Sequence, residues 1–127
     1  MPDIFVPLDT LNITKYFTEV SGRNILYRYT IDYSDRHRKE LESVKNIKEL
    51  RLLLDSDTAL FSDFVRYAEH QGIKPNWKEI ARSRKIMEAQ LRAYISRNSS
   101  LEDNAFYYFI YPIDRTVLRA IEVLEQQ

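Results

Sequence analysis

Apolar residues recur along most of this chain at three- and four-residue steps, the spacing that gathers them on one face of an α-helix. The pattern predicts a short helix from Thr14 to Val20, capped by Asn12 or Thr14 and ended by Ser21-Gly22. Asn46 and Glu49 make an N-x-x-E cap pair that opens a helix with Ile47, Leu50, Leu53 and Leu54 turned inward. Ser56-Asp57 caps the next, whose apolar face is Leu60, Phe61, Phe64, Val65 and Ala68, and Gly72 suits a left-handed stop behind His70-Gln71. Pro75-Asn76 starts the longest helix. Asn76 caps it, Glu79 takes its third position, and Trp77, Ile80, Met87, Leu91, Tyr94 and Ile95 form its inward stripe. Lys78, Arg82, Lys85, Glu88 and Arg92 lie on its solvated side. Asn98-Ser99-Ser100 breaks the pattern. A helix then opens at Asp103 or Asn104, and Pro112 interrupts it. Asp114 caps a final helix with Val117, Ile121 and Leu124 inward.

Two stretches fit this scheme less simply. In Ile25 to Tyr33, "ILYRYTIDY", Ile25, Tyr27, Tyr29, Ile31 and Tyr33 alternate with Leu26, Arg28, Thr30 and Asp32, as in a strand. Leu26, Thr30, Tyr33, His37, Leu41 and Val44 also recur at helical steps, and Asn24 can cap such a helix. One long helix is the preferred reading; otherwise Ser34 or Asp35 caps a shorter helix running to Val44. The opening "PDIFVPLDT" is extended, because each proline pushes the residue before it out of the helical region. Ile4, Val6 and Leu8 share one side of it and Phe5 the other. The fold class is thus all-α, a compact multi-helix bundle with a short extended N-terminal segment, residues 1–10 preceding a helical domain over 11–127.

Composition supports a single packed domain: 127 residues, 44% hydrophobic and 30% charged. The 19 basic and 19 acidic residues cancel, which gives no general pull toward nucleic acid or an anionic membrane. Cysteine is absent, so disulfides, thiolate metal sites and cysteine nucleophiles are excluded. No apolar run approaches membrane-spanning length. No basic-then-apolar signal peptide precedes Pro2, and we expect Met1 to be a start residue added to a fragment whose natural chain runs further upstream.

Candidate chemistry is sparse. His37 and His70 sit on different predicted helices without an i, i+4 ligand partner, so no metal site is expected. Asp32 and Asp35 share a helix face, and Glu40 and Glu42 flank Leu41, yet nothing ties either pair to a cleft. With glycine only at 22 and 72 there is no nucleophile elbow and no phosphate loop. Neither a catalytic residue nor a cofactor is therefore expected. The tyrosines suggest surfaces. Tyr27, Arg28, Tyr29, Arg36 and Arg38 could grip a single-stranded nucleic acid, while Tyr107, Tyr108 and Tyr111 could line a peptide groove. The neutral charge favours the plainer alternative, tyrosines covering the core with hydroxyls in water, and argues against nucleic acid.

"PDIFVPLDT" resembles the segment that follows the catalytic core in carboxyl-terminal processing, or tail-specific, peptidases, serine enzymes with a Ser–Lys dyad and a PDZ domain. "DRHRKEL" (35–41), "KPNWKEI" (74–80), "LRAYISRN" (91–98), "NAFY" (104–107) and "IDRTVLRAIEVL" (113–124) are similar to the helical region beyond that core. Neither the nucleophilic serine motif nor its lysine has a counterpart here, so no catalytic residue carries over. The resemblance implies a non-catalytic C-terminal domain of a periplasmic or cell-envelope protease. Its implied partners are the catalytic and PDZ domains of the same polypeptide, the enzyme's protein or peptide substrates, and further copies of itself. Ile4, Phe5 and Val6 would be a tether docking on the core by strand addition, and Tyr27, Tyr29, Tyr33, Tyr107, Tyr108 and Tyr111 the contact area. The alternative is a stand-alone helical protein–protein interaction module unconnected to proteolysis.

Overall fold

The computed structural model describes residues 13–111 of the chain. Among these residues there are seven α-helices and no strand: α1 (Lys15–Gly22), α2 (Ile25–Arg36), α3 (Arg38–Ser43), α4 (Ile47–Ser56), α5 (Leu60–His70), α6 (Trp77–Arg97) and α7 (Glu102–Ile110). The all-α reading holds. The extended opening with Ile4, Phe5 and Val6, and the last helix with Val117, Ile121 and Leu124, lie outside the described residues.

Helix α6 is the axis of the bundle. Its largest contact is with α7, and it also packs against α2 and α1, while α2 reaches α1, α3 and α5. Being covered on several sides, α6 buries more than the expected stripe. Ile80, Met87, Leu91, Tyr94 and Ile95 are buried as the pattern requires, joined by Ser83, Ile86, Gln90, Ala93 and Ser96. Trp77 departs from the expectation, with 63% of its surface exposed. The first side chains of α6 to meet α1 are Glu79, whose Oε1 accepts the Tyr16 N–H at 2.8 Å, and Ser83, whose hydroxyl lies 2.8 Å from that of Thr14. Trp77 sits just before this junction and stays largely outside the packed core.

The expected caps form where side-chain chemistry alone decides them. Thr14 Oγ1 accepts from Phe17 N–H, Asn46 Oδ1 from Glu49 N–H and Asn76 Oδ1 from Glu79 N–H. Behind α5, Gly72 takes φ +101°, Ile73 N–H reaches the Ala68 carbonyl and Gly72 N–H that of Glu69. These bonds close a Schellman motif and seat Ile73 in the core. Two details differ. Asn24 precedes α2 in a left-handed conformation with no side-chain cap bond. Asp57 does not cap α5 at its first residue but accepts Ala59 N–H across the turn from α4.

Residues 25–36 are helical, and the strand reading fails. The single long helix is interrupted at His37, where the backbone opens to φ −114° and α3 restarts. The His37 ring stacks on Tyr33 at 4.2 Å, and its Nδ1 lies 3.2 Å from Glu40 Oε1. The small bend keeps the helical register on the core, so Leu26, Thr30, Tyr33, Leu41 and Val44 are all buried.

Candidate functional site

The expected Tyr27/Tyr29/Tyr33 surface does not exist. Tyr29 and Tyr33 point into the bundle, 1% and 4% exposed, and only Tyr27 remains outside at 41%. Tyr29 Oη donates to Asp63 Oδ2 at 2.8 Å and Tyr33 Oη to Asp57 Oδ2 at 2.7 Å, so two tyrosines of α2 pin the start of α5. Burial first, and then the adjoining carboxylate, push both phenols well above the ordinary tyrosine range. Arg36 lies over the Tyr33 ring at 5.7 Å, but it pairs with Asp32 and Asp63, and Arg38 pairs with Asp35 and Glu42, so these arginines with two buried rings do not make a nucleic-acid face.

The second tyrosine group is on the surface. Tyr107, Tyr108 and Tyr111 are 61%, 45% and 78% exposed. They lie on and just after α7, which presents Ala105 and Ile110 to the core, keeps Phe106 and Phe109 half-buried against it, and turns Tyr107 and Tyr108 outward. Together with Phe109, Arg51 of α4 and Arg92 of α6 they line a groove of about 730 Å³. Arg51 donates from Nη1 to Tyr108 Oη at 3.3 Å, and Arg92 is held by Asp55 at 2.8 Å. Beside the groove, Lys48, Arg51, the exposed Leu52 and Asp55 frame a smaller hollow.

Tyr27 joins this region rather than its two sequence neighbours. Its ring meets Tyr94 edge-on at 5.5 Å, Tyr94 lies 5.8 Å from Phe106, and Phe106 lies 5.2 Å from Tyr107. Arg97, tethered to Asp103, covers the Phe106 face at 3.8 Å. An aromatic chain therefore crosses α2, α6 and α7 and ends at the groove. Arg51, Arg97 and Phe106 were not singled out by the sequence pattern. Arg51 is 57 positions from Tyr108, and no local signal connects them.

Among the described residues no cluster of His, Asp or Glu could hold a metal ion, and no helix is long and apolar enough to cross a membrane. His70 ends α5, where a cation is favoured by the helix dipole, and is exposed. Residues 16–99 match a family described as a family of unknown function (DUF8443). No curated protein and no solved structure matches the chain. The matched stretch runs from the first turn of α1 to just past α6, so α7 lies beyond it.

Proposed function

The chain belongs to this family of unknown function, and from that premise we propose that it is a non-catalytic helical module that binds another protein through the groove between α7 and α4. One observation carries the reading: three large tyrosines, two adjacent on the last turns of α7 and one just after it, stand outside the bundle around a groove whose described lining is four aromatic rings and two arginines. Tyrosine and arginine are the side chains that concentrate binding energy at protein interfaces. A tagged chain should retain a partner that is lost when Tyr107 and Tyr108 are both replaced by alanine, with the melting temperature unchanged. An unchanged set of partners would remove the reading.

A finer version makes the module the C-terminal accessory domain of a carboxyl-terminal processing serine peptidase of the cell envelope, bracing its core, mediating assembly or handling substrate tails. It is supported by the phrase "PDIFVPLDT" and the helical phrases that follow. A reading frame that continues upstream into a PDZ domain and a Ser–Lys core is the outcome expected of it. In that full-length enzyme, alanine at Tyr107 and Tyr108 should impair assembly or tail cleavage. A start codon directly before Pro2 would leave only the stand-alone module.

A further inference from the structure

Resting on the reading of the α7–α4 groove as a protein-binding surface, we infer that its occupant is an extended acidic segment bearing apolar side chains. The chain as a whole is neutral, yet the described lining of the groove holds two arginines and no carboxylate. Arg92 is already neutralised by Asp55 at 2.8 Å. Arg51 is not. Its one described side-chain partner is the Tyr108 hydroxyl; Asp55 lines the same small hollow as Arg51 and Lys48 but is engaged by Arg92, and among the described residues neither Arg51 nor Lys48 forms an ion pair with a carboxylate.

The Arg51–Tyr108 contact is directional. Arg51 donates an N–H to Tyr108 Oη, which leaves the phenolic proton and the remaining guanidinium N–H groups free to donate outward. A carboxylate placed over the pair accepts from both, the charge-assisted geometry in which arginine performs best. The rings of Tyr107, Phe109 and Tyr111 and the exposed Leu52 then offer apolar surface on either side. The pattern of an acid next to an apolar side chain fits this arrangement.

A single-stranded nucleic acid uses the same residue types, aromatic rings and arginine. It needs a run of cations tracking the backbone, however, and here one of the two lining arginines is already paired.

The test uses fluorescence anisotropy on the full chain. The probes are a labelled peptide of repeated Glu-Asp-Phe-Leu, its counterpart with lysine in place of each acid, and an oligo(dT). The acidic peptide should bind at least tenfold more tightly than the basic one, and its affinity should fall with salt. Arg51→Glu should weaken it by about tenfold or more, the effect of removing and reversing one close charge pair. Tyr108→Phe should weaken it by a smaller factor, and Lys39→Glu, on α3, should leave it unchanged. If Tyr107→Ala/Tyr108→Ala abolishes peptide binding while Arg51→Glu does not alter it, the acidic preference is wrong and the surface stands. If none of these variants changes binding, the surface falls as well. Equal binding of the basic peptide, or oligo(dT) displacing the acidic one, would overturn the inference, as would concentration-dependent self-association that Arg51→Glu abolishes and the peptide does not compete with.

Discussion

Tyr33 and Asp57, 24 positions apart, are joined hydroxyl to carboxylate at 2.7 Å, and the other oxygen of the same carboxylate accepts Ala59 N–H at 3.2 Å. One aspartate thus links α2 to the turn that launches α5. Replacing Tyr33 with phenylalanine keeps the packing and removes one hydrogen bond to a charged group. It should cost about 1–2 kcal/mol. Asp57→Ala should cost more, because it strips the turn of its acceptor and leaves a buried phenol without a partner. The double variant should lose less than the two single losses added together, a coupling that denaturant titration of all four proteins measures. Strict additivity would show that the contact carries no stability.

Alkaline pH should act through the same buried phenols. Burial and then Asp63 raise Tyr29, burial and then Asp57 raise Tyr33, and burial with the charge of Glu69 lifts Tyr16 to about 12. An unfolded tyrosine titrates near pH 10, so the folded state binds these protons more tightly than the unfolded one. Their stabilising contribution is complete below about pH 10 and is lost as the pH rises through the raised folded values. Each tyrosine that stays protonated only in the folded state lowers stability by about 1.4 kcal/mol per pH unit in that window. Urea midpoints taken on both sides of pH 10 should fall steeply, and Tyr29→Phe/Tyr33→Phe should flatten the decline. An equally steep decline in the double variant would overturn this account.

What the sequence made legible was the chemistry that a single residue settles with its near neighbours. Thr14, Asn46 and Asn76 cap, Gly72 stops, and the stripes of α5 and, Trp77 apart, of α6 are buried because each needs only its own helix to be recognised. What stayed hidden depends on partners distant in the chain. Tyr29 and Tyr33 read as surface tyrosines because Asp63 and Asp57, which satisfy their hydroxyls inside the bundle, lie on or before another helix. Ser83 and Gln90 of α6 are buried by helices packed on its other sides, which its own periodicity does not announce. The groove was half visible: the aromatic run on α7 stood out, and Arg51 on α4 did not.

The two glycines should respond oppositely to alanine. At Gly72 the backbone is left-handed, φ +101°, and a Cβ would meet no atom within 4 Å. Gly72→Ala should therefore cost about 1 kcal/mol through backbone strain alone. Gly22 ends α1, needs no positive φ and also has open space around a would-be Cβ. Gly22→Ala should be neutral or stabilise by up to about 1 kcal/mol, because alanine loses less entropy on entering a helix. Thermal melts of the two variants decide the point, and a shift in the same direction for both would contradict it.

Trp77 provides the most direct optical check on the bundle. It is the sole tryptophan of the chain and is 63% exposed, at the start of α6 just ahead of Glu79 and Ser83, which meet α1. Its indole should emit in the native state much as it does in water, and unfolding should move the emission little while helical circular dichroism collapses. Trp77→Ala should change stability by no more than about 0.5 kcal/mol, since the side chain leaves no core cavity behind. The hydrophobic spacing alone places Trp77 on the inward stripe, which would instead give a blue-shifted native emission and a loss of about 3–5 kcal/mol on truncation. A native spectrum of that second kind would mean that the first turn of α6 is covered, and that the junction with α1 extends beyond Glu79.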